Sequence, residues 1–164
     1  MLLARVYWPP AGMLKEFFPG ADRFEPVSVP ATGHEAEYRE RMGARPSQTG
    51  YVIQRAVKGG ETLGWVFIDN EIGEHEPITF AVKIDPAGRV LRQEVMAYRE
   101  SRGDEVRSAG FRNQFPGKGP GDPLYIGHDI AGIAGASYSS RAMAAGVRRA
   151  LLVWSWIPGH RGAP

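Results

Sequence analysis

Apolar and polar residues alternate most clearly between residues 51 and 98. Tyr51 to Val57 and Thr62 to Ile68 are rich in β-branched and aromatic residues and flank Lys58-Gly59-Gly60-Glu61, a spacing that predicts a hairpin. A second hairpin is predicted where Ile78, Phe80, Val82 and Ile84 alternate with Thr79, Ala81 and Lys83, before Asp85-Pro86-Ala87-Gly88 turns the chain into Arg89 to Tyr98. Four strands in two meanders make an antiparallel sheet with one face in need of a cover. Met143, Val147, Ala150, Leu151 and Trp154 recur on one helical stripe, which supplies it. The expected class is therefore α+β: an antiparallel sheet of two hairpins covered by a C-terminal helix, with a short N-terminal helix from Pro10 to Phe18 stopped by Pro19-Gly20. Gly146 inside the closing helix costs about 1 kcal/mol relative to alanine, which predicts a close approach by a neighbouring element.

Elsewhere the periodicity fades. From Glu25 to Gln48 the prolines, glycines and charges predict loop around one short polar helix, His34 to Met42. From Glu100 to Gly127 the chain is polar and glycine-rich, with a short helix expected from Gly103 to Ser108; no packing need explains this stretch, and long loops on a sheet scaffold carry function. With 164 residues and 43% hydrophobic content, one domain is expected. Residues 1–48 form its N-terminal helix and loop region, 49–157 its core, and 158–164 a flexible tail. The apolar stretch Leu151 to Ile157 is too short to span a membrane, so it is assigned to the core, with Trp156 as an alternative docking residue.

Charge changes the picture only locally. The 20 Lys+Arg nearly balance the 18 Asp+Glu, which gives no case for a nucleic-acid partner. From Tyr138 onward, however, Arg141, Arg148, Arg149 and Arg161 occur without a single acid, which favours a phosphate neighbour. The absence of cysteine excludes disulfides, thiol catalysis and thiolate metal sites. Met1 to Val6 carries no apolar core of signal-peptide length before Pro9, and no transmembrane run is present; either the protein stays inside the cell or an export signal has been removed.

The chemistry concentrates in Asp129 to Ser140, a run of small residues that meets Ser137, Ser139 and Ser140 at a helix start. Unpaired backbone N–H groups and the macrodipole at such a terminus suit a phosphate, to which Ser139 and Ser140 would add hydroxyl donors. The same pattern also fits serines that merely cap the helix. Gly135-Ala136-Ser137-Tyr138-Ser139 approaches the G-x-S-x-G elbow of α/β hydrolases, but its final glycine is a serine and no acid follows Ser137. His34, His75, His128 and His160 are scattered and read as solvated loop residues rather than metal ligands. Gly117-Lys118-Gly119 lacks the order of a phosphate loop. Asp104 with Glu105 and Glu74 with Glu76 read as solvated charges.

Three blocks resemble the FMN-binding domain family found in the C subunit of the sodium-pumping NADH:quinone oxidoreductase, the G subunit of the Rnf complex and small exported relatives. They are Glu74-His75-Glu76-Pro77-Ile78-Thr79-Phe80 with its return strand; Tyr98 to Val106 followed by Phe111, Gln114-Phe115 and Gly117-Lys118; and Asp129 to Arg148. In the family the last block typically reads D-x-x-S-G-A-T-x-S-S-R-A, and its threonine accepts FMN through a phosphoester. Ser137 stands at that threonine, Gly135 and Ala136 match the G-A, and Ser139, Ser140, Arg141 and Ala142 match the closing S-S-R-A. Ala131 and Ala134 replace the motif's aspartate and first serine, departures that bear on the attaching transferase more than on phosphate geometry. The family's E-T-P-G loop falls on Glu100, Ser101, Arg102 and Gly103, with Arg102 in place of proline.

The resemblance implies an FMN-binding electron-transfer domain. Its cofactor site would comprise Gly135, Ala136, Ser137, Tyr138, Ser139, Ser140, Glu100, Ser101, Gly103, Thr79 and Lys118. It also implies protein redox partners, some of them membrane-bound, and a periplasmic or otherwise extracytoplasmic setting. An electron carrier is expected rather than a stand-alone enzyme. Two alternatives stand beside it: a scaffold or ligand-binding protein that has lost flavin attachment, and a flavin reductase, for which no nicotinamide fingerprint is visible.

Overall fold

The structure, a computed structural model, describes residues 3–160. Its centre is an antiparallel sheet of six strands, β1 (Arg5–Val6), β2 (Arg23–Pro30), β3 (Gly50–Lys58), β4 (Glu61–Ile72), β5 (Pro77–Ile84) and β6 (Val90–Tyr98), in the order β1-β6-β5-β4-β3-β2. The helices are α1 (Pro10–Phe17), α2 (Glu35–Met42), α3 (Ala109–Arg112) and α4 (Ser137–Trp156), with a 3-10 turn at Asp104–Arg107. The α+β class and both expected hairpins are present, and α4 is the cover.

Strand alternation decides which residues meet which helix. Ile78, Phe80, Val82 and Ile84 face α4 in the main core with Trp65, Phe67, Met143, Val147, Leu151 and Trp154, whereas Val66 and Ala81 face the other way, onto Met13 and Phe17 of α1. The sheet is thus covered on both faces. Gly146 sits over Phe80, where an added Cβ would lie 2.6 Å from the ring, which is the close approach its sequence position predicts.

Two strands fall outside the sequence expectation. β2 occupies a stretch read as loop because Pro26 and Pro30 interrupt it; it is an edge strand, where a missing N–H breaks no ladder bond on the solvent side. β1 is only two residues, paired with Ala97 and Tyr98. The stretch from Glu100 to Gly127 also differs from its expectation as a functional loop without packing. Val106, Phe111, Phe115 and Leu124 are buried in the main core, so this segment is held by apolar burial.

Histidines at both ends of the domain are packed rather than solvated. His34 stacks on Trp156 at 4.4 Å, and His160 stacks on Trp154 at 4.1 Å while its Nδ1 lies 2.9 Å from the Trp154 carbonyl. Trp156 is buried and donates its Nε1–H to Glu37. Of the expected tail, 158–160 end against these rings and 161–164 lie outside the described residues.

Candidate flavin-phosphate site

The start of α4 is built by the loop before it. Asp129 accepts from the amides of Leu124 and Tyr125 and from Lys118 Nζ, each at 3.1 Å. Burial alone would raise the Asp129 carboxyl; those two amides and the Lys118 ammonium outweigh it and hold it below its ordinary value. Gln114 then grips Ala131 at two points, accepting from its N–H at 2.7 Å and donating to its carbonyl at 2.9 Å. Ser140, fully buried, donates to the Ala136 carbonyl at 2.7 Å and accepts from the Ile133 amide at 3.1 Å. The turn from Ala131 to Ala136 is therefore fixed before the helix begins.

What this scaffold presents is a bare helix end. Ala136 is the N-cap residue, no side chain caps it, and the first turn contains no acid. By helix geometry the first N–H groups have no partner within the helix, and the macrodipole adds about half a positive charge there. Serines acting merely as caps are thereby ruled out. Gly135 and Ser137 are exposed, Ala136 is buried, and Tyr138 is 54% exposed.

This terminus opens on a groove of about 220 Å³ lined by Gly135, Ala136, Ser137, Tyr138, Ser139, Gly103, Arg102, Glu100 and Glu74. It shares Glu74, Glu100 and Arg102 with a second hollow of about 510 Å³, which Ser101, Arg99, His75 and Glu76 complete. Three segments more than twenty-five residues apart in sequence thus meet at one place.

Gly103 makes that meeting close. Its φ of +94° lies in the left-handed region, and a Cβ would sit 2.4 Å from Tyr98 Oη and 2.5 Å from Ser139 Oγ. These two hydroxyls are themselves bonded at 2.7 Å. Tyr98 also bonds the Arg102 carbonyl, which can only accept, so the phenol spends its proton there and Ser139 donates to Tyr98. Ser139 therefore turns lone pairs, not a proton, toward the groove. The expectation that Ser139 and Ser140 add hydroxyl donors to a phosphate is corrected on this point: both protons are already committed.

Glu100 is equally committed. Its carboxylate accepts from the amides of Glu74 (3.1 Å), His75 and Glu76 (2.8 Å), tying the β4–β5 turn to the rim of the groove. Burial pushes this carboxyl up, but the three amides and His75 outweigh it and the net position is below the ordinary 4.5. A depressed folded-state pKa means the stabilisation is complete above about 4.5 and is lost as pH falls through the folded value. Amide exchange at Glu74, His75 and Glu76, followed by NMR, is accordingly expected to quicken relative to neighbouring strand amides once pH drops below 4.5; unchanged protection would contradict this role for Glu100.

Two expected site residues are elsewhere. Thr79 projects from the sheet face away from α4, bonded to Asn70 Oδ1 and to Arg99 Nη1, and reaches the hollow only through Arg99. Lys118 is spent on Asp129. Conversely Arg102, which in the sequence stands out only as a departure from the family's loop, is an exposed cation on the lip beside Ser137. Among the described residues no cluster of three or more His, Asp or Glu could hold a metal, and no helix is long and apolar enough to cross a membrane.

A sheet-backed helix that directs an uncapped, positively polarised end into an open groove is the arrangement of an α+β domain able to hold a phosphorylated ligand. Residues 73–152, just under half of the chain, match the FMN-binding domain family. FMN is its cofactor on that match. The fold is similar to that in the crystal structure of NqrC from Shewanella oneidensis, with a TM-score of 0.55 and 13% identity over 84% of this chain and 81% of that one. No curated protein matches the chain.

Proposed function

We propose that the protein is a flavin carrier: it holds one FMN by its phosphate at the start of α4 and passes electrons between protein partners. The observation that carries this reading is the uncapped α4 terminus opening on the Gly103 groove inside the segment that matches the FMN-binding family. When bound, the flavin supplies the electron chemistry. The chain's own residues bind and orient it: the amides of Ser137 to Ser139 face the phosphate, Arg102 pairs with its charge, and Glu100 with Ser101 flanks the ring. No nicotinamide fingerprint accompanies the groove, which favours a carrier over a reductase. The family resemblance favours an extracytoplasmic setting. Purified protein mixed with FMN and passed through gel filtration is expected to emerge yellow; colourless protein with no flavin affinity would overturn the reading.

Arg102 and Ser137 divide the work in this proposal. A free FMN phosphate is nearly dianionic, so losing the Arg102 guanidinium in Arg102→Gln is expected to weaken noncovalent FMN binding roughly tenfold, about 1.4 kcal/mol, measured by flavin fluorescence quenching. Ser137 Oγ is the hydroxyl of the turn left free for a phosphoester. Intact mass is expected to show one added FMN only when a flavin transferase is co-expressed, and none in Ser137→Ala; an adduct that persists in that variant would place the link elsewhere.

A further inference from the structure

Of the three charged side chains that are buried among the described residues, Glu94, Arg148 and Arg149, two are ion-paired. Arg149 is answered by Asp69 and Glu71, Glu94 by Arg92 and Arg112, and Lys118 by Asp129. Arg148 is only 6% exposed, yet among the described residues it forms no ion pair; its Nη1 donates to the Leu124 carbonyl at 2.6 Å and its Nε–H has no acceptor. Its guanidinium lies 3.7 Å from the centroid of the Tyr125 ring. Burial, together with the cations Arg41 and Arg149, pushes its pKa down, against the weaker support of Tyr125 and Glu71. A guanidinium taken out of water without a counter-ion is costly unless an anion supplies the missing partner.

Arg148 lines a pocket of about 310 Å³ on the outer side of α4, separate from the phosphate groove except that both touch Tyr138. A second cation, Arg141, lies at this pocket 5.2 Å from the Tyr138 ring. Its walls include Ile72, Tyr125 and Tyr138, all exposed large apolar side chains. The only carboxylate in the lining is Glu71, already engaged by Arg149. Two cations among aromatic and aliphatic walls call for an anionic head on a flat apolar body, and the planar guanidinium fork matches a carboxylate.

We propose that this pocket is a second ligand site, distinct from the flavin groove, that takes a small aromatic carboxylate with its charged head on Arg148 and Arg141. The test uses the whole chain, with and without FMN, titrated with benzoate and, as an uncharged isostere, benzamide, at constant ionic strength held with chloride. Benzoate is expected to raise the melting temperature and to shift the amide resonances of Tyr138, Ala145 and Arg148 equally with FMN present or absent, whereas benzamide does neither. Arg141→Gln, a surface change that leaves the core intact, is expected to weaken benzoate at least tenfold, and Arg148→Lys more. Equal binding of benzoate and benzamide, an effect reproduced by chloride alone, shifts confined to Ser137–Ser139, or displacement of benzoate by FMN would each overturn the proposal.

Discussion

Gly103→Val is expected to destabilise the domain by about 3 kcal/mol and to abolish FMN uptake. Two costs combine. A β-branched residue held at φ +94° and a side chain forced into a filled space each cost on the order of 1–3 kcal/mol. The atoms it would strike are Tyr98 Oη and Ser139 Oγ, the bonded pair that joins β6 to the first turn of α4. Relief by pushing them apart would also move Ser137, so the fold and the groove fail together. Urea denaturation read by tryptophan fluorescence measures the first effect and flavin quenching the second. A variant with wild-type midpoint and affinity would mean that Gly103 is not a fixed wall of the site. Gly103→Ala is expected to show the same losses in smaller measure. Adding Tyr98→Phe to it, which removes one of the two struck atoms, is expected to return about 1 kcal/mol.

Arg149→Met is expected to cost about 3–5 kcal/mol, because removing one member of a buried charge cluster strands the others. Arg149 is 6% exposed and reaches Asp69 Oδ2 at 3.1 Å, the Asn70 carbonyl at 2.9 Å and Glu71 Oε2. The cluster ties the middle of α4 to the end of β4, one turn of chain before the Glu74–Glu76 amides that Glu100 holds. Its loss is therefore expected to loosen the groove as well as the fold. Adding Asp69→Asn and Glu71→Gln to Arg149→Met is expected to recover part of the stability, since the stranded charges are then gone. Thermal unfolding of the single and triple variants distinguishes this from a simple packing loss, for which the added changes would restore nothing.

The parts of this architecture legible in the sequence are those with a period. Ile78 to Ile84 alternate and Met143 to Trp154 keep a helical stripe, so the two hairpins and their cover could be read directly. β2 could not, because Pro26 and Pro30 argue against a strand unless it is known to lie at an edge. Val106, Phe111, Phe115 and Leu124 are spaced without period, and only the tertiary fold reveals that they are core. At the site, Asp129 to Ser140 stood out as a run of small residues that meets Ser137, Ser139 and Ser140 at a helix start. The partnership of Gly103 with Tyr98 and Ser139, the capture of the 74–76 amides by Glu100, and the grip of Gln114 on Ala131 are contacts between distant segments with no local signature. Thr79 carried its own warning: strict alternation already placed it opposite Phe80, on the face away from α4.

If the phosphate of FMN is held at the start of α4, affinity must depend on that phosphate. Parallel titrations of the whole chain with FMN and with riboflavin, which share a ring and differ in the phosphate, test this most directly. FMN is expected to bind at least tenfold more tightly, a margin of about 1.4 kcal/mol or more that falls in Arg102→Gln while riboflavin affinity stays unchanged. Equal affinity for the two flavins would contradict a phosphate grip at this helix end.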